Sequence, residues 1–257
     1  MRKETDNFRD SAIMEGMTSI RAVLSSCSAS DCRIVEILYD KAKKAKKEKE
    51  LRYLAHRAEE YGFPMTETDA ATLDKLCTGN THGGIVALTL PRPIPVLTAE
   101  MSLAGRGFYV MIEGIEDPYN FGYAIRSLYA CGVNGIILPS RNWMSAAGVV
   151  ARASAGASEL IDMYTVPNGE TAADIFHAKG YAVVCAAEDT DLCLQKAKIP
   201  CPVFLVIGGE RRGISAALRQ KCDFAVKIDY GRAFGASLSA ASAATVFAYE
   251  ITRQNLF

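Results

Sequence analysis

The sequence lacks several patterns that mark common classes of protein. It has only three histidines, and none of its eight cysteines forms a CxxC pair, so no zinc-finger spacing occurs. No run of about 18 apolar residues is present to form a membrane-spanning helix. The N-terminal "MRKETDNFRD" is too polar for a secretory signal. We therefore expect a cytoplasmic protein with reduced cysteines, no membrane association and no metal.

A net charge of one sign is also missing. Lysine plus arginine and aspartate plus glutamate number 29 each, so the formal net charge is zero. A polyanion such as RNA would have to be held by local basic patches, because the net charge provides no attraction. Hydrophobic residues make up 49% of the 257 residues, which is enough for a sizeable core in one large domain or two modest ones.

Prolines mark a candidate boundary between two domains. Pro91, Pro93 and Pro95 alternate along "LTLPRPIPVLTAE". Alternating prolines favour an extended, semi-rigid connection and prevent helix formation. We therefore predict a linker over about residues 91–103, with a small domain in residues 1–95 and a second domain in residues 104–257.

The N-terminal domain is predicted to contain both helices and strands. Helices are indicated by "TSIRAVLSS", where Thr18 is a candidate N-cap, and by "KAKKAKKEKELRYLAHRAEEYG", which ends at Gly62. A short helix, "DAATLDKLC", has Asp69 at the position of a cap. The runs "RIVEILY", "FPMTET" and "GGIVALTL" predict strands. These elements indicate a small α/β domain.

The C-terminal domain has stronger strand signals. Strands are predicted for "GFYVMIEG", "GIILP", "YAVVCAA", "VFLVIGG" and "FAVKID". Runs that are apolar nearly throughout are typical of parallel strands covered on both faces. Helical segments lie between them, and a last helix is predicted from about Leu238 to Gln254. The fold class is therefore α/β, with an open sheet wrapped by helices.

The stretch "EGIEDPYNFGYAIRSLYACG" is the first candidate for chemistry. It follows a predicted strand, and ligands of α/β sheets bind outside the carboxyl ends of strands. Asn120 stands where an N-cap belongs, and Gly122 and Arg126 share one helix face. An arginine there suits a phosphate or a developing oxyanion. The local pattern by itself slightly favours a simpler interpretation, in which a cap, a surface arginine and a packing glycine have no catalytic role.

Two further stretches are rich in small residues. In "VIGGERRGIS", the glycines would let a ligand approach the backbone, although the pattern is neither a P-loop nor a GxGxxG motif. An ordinary strand-to-helix turn explains it equally well. In "GASLSAASAA", every residue except Gly235 and Leu238 is serine or alanine. Such a run permits close packing against a helix, and we consider that role the main one.

Two features of the N-terminal domain could contact RNA. "KAKKAKKEK" contains six lysines, but a solvated helix face is at least as good an explanation because Glu48 and Glu50 accompany them. His82 lies in the loop "NTHGG" beside Asn80 and Thr81, whose side chains suit RNA contacts. A lone loop histidine more often has no special role.

Taken in order, these stretches resemble the SpoU-type (TrmH-like) branch of the SPOUT RNA methyltransferases. The segment "ARASAGASE" is similar to the family's Arg-x-Ser-x-Gly-Ala segment, and the N-terminal domain resembles the ribosomal-protein-like substrate-binding domain often fused to this family. The residues that match the three family motifs are Asp117, Pro118, Asn120, Gly122 and Arg126, then Gly208, Glu210 and Gly213, then Ser237 and Leu238.

The resemblance implies a homodimer with a C-terminal trefoil knot, which binds S-adenosylmethionine and methylates a ribose 2′-hydroxyl of rRNA or tRNA. The N-terminal domain favours rRNA. The resemblance also assigns residues by role. The expected catalytic residues are Arg126, Asn120, Glu210 and Ser239; the expected cofactor-binding residues are Gly208, Gly209, Glu210, Gly213, Ile228, Ser237 and Leu238; the expected RNA-binding residues are His82, Arg126 and Arg152.

The third motif departs from the family pattern Ser-Leu-Asn-Val-Ser. Ser239 replaces the asparagine and Ala241 replaces the second serine. A serine retains a hydroxyl but loses the paired donor and acceptor of an amide. A catalytically weakened family member that binds RNA without modifying it therefore remains an alternative. An unrelated nucleotide-binding enzyme is disfavoured, because the sequence has no phosphate-binding loop.

Overall fold

The computed structural model describes residues 12–28, 30–78, 82–139 and 146–255. Within these ranges, no helix is long and apolar enough to cross a membrane. The contacts divide the chain into two compact units. The first unit contains the described residues up to Pro93 together with those of the Asn142–Leu160 segment, and the second contains the rest.

The first unit has a four-stranded mixed sheet in the order β1-β4-β2-β3. The β2 and β3 strands are parallel, and β4 runs antiparallel to both β1 and β2. The strands are β1 (Ala12–Glu15), β2 (Ile34–Asp40), β3 (Met65–Thr68) and β4 (Ile85–Thr89). The helices of this unit are α1 (Gly16–Ser25), α2 (Glu48–Tyr61), α3 (Ala70–Leu76), α5 (Ala147–Ala153) and α6 (Ala157–Leu160), and Lys41–Lys43 forms a short 3-10 helix.

Helices α5 and α6 belong to the first unit, whereas the sequence analysis assigned their residues to the second domain. They pack against α1, and α5 also packs against β1. Gly148 of α5 lies so close to β1 that an added Cβ would be 2.2 Å from the carbonyl oxygen of Ile13. An ion pair of 2.7 Å joins Arg152 to Glu15. This packing could not be inferred from sequence spacing, because it joins residues far apart in the chain.

The lysine-rich segment is not part of a long helix, so that prediction was wrong. Residues 41–47 form the 3-10 helix and turns, and α2 begins only at Glu48. Lysines spaced three and four apart would repel one another on a helix. The Asp40 side chain caps the 3-10 helix by accepting from the Ala42 N–H at 2.9 Å. Thr18 is not an N-cap either, because α1 begins at Gly16.

Two predicted helix ends in the first unit are confirmed. Gly62 ends α2 in the left-handed conformation, with φ of 77°. The Asp69 side chain accepts from the Thr72 N–H at 2.8 Å and caps α3.

The expectation that all cysteines are reduced was wrong for one pair. Cys27 and Cys32 form a disulfide, with their Cα atoms 4.4 Å apart. A bridge between Ser28 and Asp31 folds the intervening chain back and brings the two thiols together. The other six cysteines are free.

The second unit has a six-stranded sheet whose pairs are all parallel, as predicted, in the order β10-β8-β9-β5-β6-β7. Its strands are β5 (Phe108–Glu113), β6 (Gly135–Pro139), β7 (Asp162–Val166), β8 (Ala182–Ala186), β9 (Val203–Gly208) and β10 (Phe224–Val226). Its helices are α4 (Pro118–Ala130), α7 (Gly169–Ala178), α8 (Ala216–Gln220) and α9 (Ala240–Asn255).

Two details of this unit differ from the sequence analysis. The edge strand β7 was not predicted, because its residues, "DMYTV", are less apolar than those of the inner strands. The N-cap of α4 is Asp117 and not Asn120: the Asp117 side chain accepts from the Tyr119 N–H at 2.7 Å and from the Asn120 N–H at 3.2 Å. Pro118 then occupies the first helical position, where its missing N–H costs nothing.

Aromatic rings fill the core of the second unit. Phe176 of α7 is fully buried and stacks on Phe204 of β9, with ring centroids 4.2 Å apart. Tyr109 and Tyr181 surround the same ring at 5.3 and 5.1 Å. Tight packing around one side chain means that its removal leaves a cavity that the neighbours cannot fill.

We therefore expect Phe176→Ala to lower the stability of the second unit by about 3–5 kcal/mol. The measurement is native-state hydrogen exchange at the amides of β9, because these amides report on the stability of this unit. Leu192→Ala is the control, because this leucine is exposed, and a change of within about 0.5 kcal/mol is expected. Similar exchange rates in the two variants would contradict the central role of the Phe176 ring.

Candidate active site

A cavity of about 720 Å³ lies in the second unit at the carboxyl ends of β8, β9 and β10. In a parallel sheet this is the edge at which ligands bind. All seven residues predicted to hold the cofactor line the cavity: Gly208, Gly209, Glu210, Gly213, Ile228, Ser237 and Leu238.

One wall of the cavity is the loop that follows β9, and Glu113 of β5 holds it at two points. The Glu113 carbonyl oxygen accepts from the Gly209 N–H at 2.5 Å, and its carboxylate accepts from the Ser215 N–H at 2.9 Å. Gly209 lies so close to β5 that an added Cβ would be 2.6 Å from the backbone of Gly114. The glycine at this position therefore has a packing role in addition to any role in binding.

The opposite wall is the loop between β10 and α9. The Leu238 N–H donates to the Tyr230 hydroxyl at 3.1 Å, and the Tyr230 ring packs edge-on against Phe234. The Ser237 hydroxyl donates to the Glu188 carboxylate at 2.6 Å. These contacts tie the third motif to the loop before it and to the end of β8.

Ser239 has a capping role in the structure. Ser239 directly precedes the first residue of α9. Its hydroxyl oxygen accepts from the Ser242 N–H at 3.2 Å and lies 3.0 Å from the Ser242 hydroxyl. Serine is among the preferred residues for an N-cap. This contact gives a physical reason for a serine at this position, while its catalytic role stays a prediction.

Asn120 and Glu210, both predicted to be catalytic, are brought together. The Asn120 amide donates to a Glu210 carboxylate oxygen at 3.2 Å. Both line a smaller cavity of about 190 Å³ between the ends of β5 and β9. Glu210 also lines the large cavity, so this residue joins the two spaces. On the rim, Arg211 pairs with Glu116 at 3.2 Å.

Arg126 does not join this group. It is exposed on α4, about a turn and a half beyond Asn120, and is not among the described residues that line either cavity. Its neighbours on the exposed face are Tyr123 and Tyr129, whose side chains are 52% and 44% exposed. Within this unit, Arg126 thus lines neither of the two spaces that Glu210 joins.

The cavity also has charged walls that the sequence analysis missed. Glu188 and Asp189 directly follow β8, and the position of ligands at strand ends could have identified them. Tyr230 could not have been identified, because its role depends on how the loop folds back. Besides Glu210, the other charged residues of the lining are Arg219, Lys227, Asp229 and Arg232, and its apolar residues include Ile207, Val226 and Phe247.

The first unit contains a cavity of about 320 Å³ that is lined by His82, Arg152, Lys47 and Glu15. Two of these, His82 and Arg152, are predicted RNA contacts. His82 is only 4% exposed, and its ring nitrogens contact Asp74 at 3.0 Å and the Gly84 N–H at 3.1 Å. The RNA-binding roles stay predictions, and Asn80 and Thr81 lie outside the described residues.

Two family models match the chain and together cover most of it. The model described as "SpoU rRNA Methylase family" matches residues 107–249, which include the whole lining of the large cavity. The chain belongs to the SpoU rRNA methylase family. The model described as "RNA 2'-O ribose methyltransferase substrate binding" matches residues 13–94 of this SpoU chain.

Relatives of the SpoU chain include a curated protein and solved structures. The 23S rRNA (guanosine-2'-O-)-methyltransferase RlmB of Shewanella oneidensis is 27% identical over 248 residues, covering 94% of this chain and 97% of the relative. The SpoU methyltransferase AviRb of Streptomyces viridochromogenes, solved in complex with AdoMet, has a TM-score of 0.77 at 22% identity, covering 100% of this chain and 93% of that one. An AdoMet-bound rRNA methyltransferase of Sinorhizobium meliloti has a TM-score of 0.79 at 21% identity, covering 98% and 90%. The two structures show that the SpoU chain shares their fold.

The close approach at Gly209 makes a prediction about the stability of the loop. Gly209→Ala would place a Cβ against the backbone of β5, so we expect the second unit to lose about 1–3 kcal/mol in urea unfolding followed by circular dichroism. Gly231→Ala is the matched control, because a Cβ there would meet nothing within 4 Å. Equal stability of the two variants would show that the loop is not held against β5.

Proposed function

We propose that this SpoU chain transfers a methyl group from S-adenosylmethionine to a ribose 2′-hydroxyl of RNA. The observation that carries the proposal is the gathering of all seven predicted cofactor residues around one cavity at the strand ends. The Asn120–Glu210 pair adjoins this cavity through Glu210. No described feature favours the alternative of an RNA-binding protein without activity, since Ser237 and Leu238 of the third motif still line the cavity.

The lining of the cavity fits the proposed cofactor. Its volume, about 720 Å³, is in the range of sites for small-molecule ligands. Ile207, Val226 and Phe247 supply apolar surface for a nucleoside, while the glycines bring backbone groups close to a ligand. Glu188 and Asp189 supply negative charge for a cationic ligand, and Arg219 or Lys227 can accept a carboxylate.

The cofactor supplies an electrophilic methyl group on a sulfonium. The protein must hold the ribose hydroxyl in line with it, since positioning provides much of the rate in such reactions. Asn120 and Glu210 lie where the two cavities adjoin. A ribose hydroxyl in the smaller cavity would there be next to a cofactor in the larger one. We assign Asn120 the role of orienting the ribose, with Glu210 fixing the Asn120 amide.

Arg126 is assigned to the 2′-hydroxyl or its adjacent phosphate. A guanidinium stays protonated in proteins and is therefore a poor general base. It can instead position the hydroxyl and stabilise the alkoxide through charge-assisted hydrogen bonds. Because Arg126 lines neither cavity of its own unit, this role needs a second copy of the chain to bring it to the cofactor.

We infer that the chain forms a homodimer through α4 and α9. These helices pack together, and their outer faces carry large exposed side chains. Large apolar patches on a protein surface mark interfaces. Arg126 lies within this face, so the same contact would carry its guanidinium towards the partner subunit. The exposed residues are Tyr119, Tyr123, Tyr129, Val246 and Tyr249.

We favour rRNA over tRNA as the substrate and the cytoplasm as the location. The first unit matches a substrate-binding family, and the relative RlmB is named as a 23S rRNA methyltransferase. His82 and Arg152 are the proposed RNA contacts there.

In the second unit, we infer that the segment between β10 and α9 is threaded as a trefoil knot. Ribose methylation mapped by mass spectrometry in a deletion strain and its parent would identify the nucleotide.

The assignment of Arg126 predicts a separation of binding from chemistry. Arg126→Ala should lower methyl transfer from labelled S-adenosylmethionine to rRNA by about 100-fold or more, because an electrostatic contact in the transition state is lost. Cofactor affinity in calorimetry should stay unchanged, since the assigned partner of Arg126 is the RNA hydroxyl or phosphate and not the cofactor. Arg106→Ala, an exposed arginine elsewhere in the same unit, is the control. Equal activity of the two variants would refute the assignment.

The proposed dimer predicts that breaking the interface will also separate cofactor binding from methyl transfer. Tyr249→Glu places a charge on the most exposed tyrosine of the face, 64% exposed, and should convert the dimer into a monomer in analytical ultracentrifugation. The monomer should bind the cofactor but transfer no methyl group. Leu90→Glu, at a leucine of the first unit that is 54% exposed, should leave the assembly unchanged. A dimer that persists in Tyr249→Glu would place the interface elsewhere.

A further inference from the structure

The first turn of α1 lines the cavity of about 320 Å³ in the first unit. Gly16, Met17, Thr18 and Ser19 begin this ten-residue helix, and all of them contribute to the lining. The first N–H groups of a helix have no acceptor within the helix. Glu15 is at the N-cap position, but its side chain makes no capping hydrogen bond. The end of α1 therefore presents N–H donors and the positive end of the helix dipole to the cavity.

A buried hydroxyl in the same wall lacks a partner. Ser19 is only 2% exposed, and its side chain makes no hydrogen bond to any residue that the structure describes. Within those residues, only Ser158 has a buried side-chain oxygen with neither a partner nor exposed surface. The Ser19 hydroxyl therefore keeps contact with the open space of the cavity that it lines. Because an unpaired buried hydroxyl costs free energy, this group points to a ligand that can hydrogen-bond to it.

Two cations belong to the lining of this cavity, and neighbouring carboxylates hold both of them. Arg152 forms an ion pair of 2.7 Å with Glu15, whose second carboxylate oxygen accepts from the Thr78 N–H at 3.0 Å. Both oxygens of Glu15 thus have donors, which compensates the negative charge and orients the guanidinium. Lys47 pairs with Glu50 at 2.9 Å, and each of these side chains is 28% exposed. A pair near the surface contributes little, so the ammonium can turn from Glu50 to an anion in the cavity.

This set of donors suits a phosphate. The described lining holds two permanent cations, Lys47 and Arg152, and a single carboxylate, that of Glu15, which is already compensated. A phosphate accepts several hydrogen bonds at once. In complexes with nucleic acids, phosphate oxygens bind to helix N-termini, serine hydroxyls, lysine and arginine, and all four kinds of donor occur here.

We propose that this cavity binds a backbone phosphate of RNA, through the first N–H groups of α1, the Ser19 hydroxyl, Lys47 and Arg152. The identity of the ligand rests on the proposed function, in which the chain acts on RNA. Phosphate contacts fix the position of a nucleic acid on a protein but do not read its sequence. The site therefore orients the substrate from the first unit, whichever base carries the methylated ribose.

The first experiment titrates the full chain with inorganic phosphate and follows the backbone amides by NMR. The amide signals of Gly16, Met17 and Thr18 should shift with phosphate. Potassium chloride at equal ionic strength should leave them unchanged. Signals that respond equally to both salts would overturn the site, because the response would then be one to ionic strength alone.

A substitution at Thr18 separates anion binding from helix stability. Thr18 is exposed, and an acidic residue in the first turn stabilises a helix, so Thr18→Asp should fold normally. Its carboxylate would nevertheless repel a phosphate. We expect phosphate affinity to fall by about tenfold or more in Thr18→Asp and by less than about twofold in Thr18→Asn, the neutral control. Unchanged phosphate affinity in Thr18→Asp would overturn the proposal.

The second experiment measures the affinity for unmodified 23S rRNA by filter binding over a range of salt concentrations. Lys47→Gln should weaken binding and lower the slope of log affinity against log salt by about one, because one phosphate contact is lost. Lys49→Gln is the matched control, since this exposed lysine of α2 is not part of the described lining. Equal slopes in the two variants would contradict a phosphate contact of Lys47.

Ser19→Ala should also weaken rRNA binding, by about three- to tenfold. Ser25→Ala is the control, because Ser25 is at the other end of α1 and donates to the Ala22 carbonyl oxygen at 2.7 Å. Inorganic phosphate that binds while every variant keeps the parent's affinity for rRNA would overturn the proposal, because the site would then serve a free anion. A parent protein that transfers no methyl group to rRNA would refute the proposed function, and the phosphate titration would still decide the site.

Discussion

The candidate site depends on two hydrogen bonds by which Glu113, at the end of β5, holds the loop after β9. Its carbonyl oxygen and its carboxylate hold the backbone N–H groups of Gly209 and Ser215, which are the two ends of the loop after β9. With both ends held, the loop has little freedom to close over the cavity or to move away from it. Glu210, which contacts Asn120, and the glycines that line the cavity all lie on or beside the loop that this residue holds.

Much of the second unit could be predicted because its inner strands are apolar throughout, which is a signal that does not depend on distant contacts. The edge strand β7 has a mixed sequence and lacked that signal. Asn120 was taken for a cap because asparagine is a good one, but Asp117 stands before a proline and reaches two N–H groups. The lysine-rich segment has good helix formers, and charge repulsion together with the Asp40 cap outweighs them.

The strand-end rule indicated the edge of the sheet where the site lies, but the seven lining residues were assigned by resemblance to the family motifs. The location of Arg126 was not predictable, because a helix face can be assigned from spacing but its distance to a cavity cannot. Packing of α5 and α6 on the first unit depends on contacts such as Arg152 with Glu15, which join residues more than a hundred positions apart.

The hydroxyl of Tyr230 has a consequence for any ligand of the large cavity. It already accepts a hydrogen bond from the Leu238 N–H. A ligand that needs this N–H must first displace the phenol, so it exchanges one hydrogen bond for another and gains little enthalpy there. Ligands without a matching acceptor leave the phenol in place. The loop therefore selects ligands by competition, because each ligand acceptor must bind the Leu238 N–H better than the Tyr230 hydroxyl does.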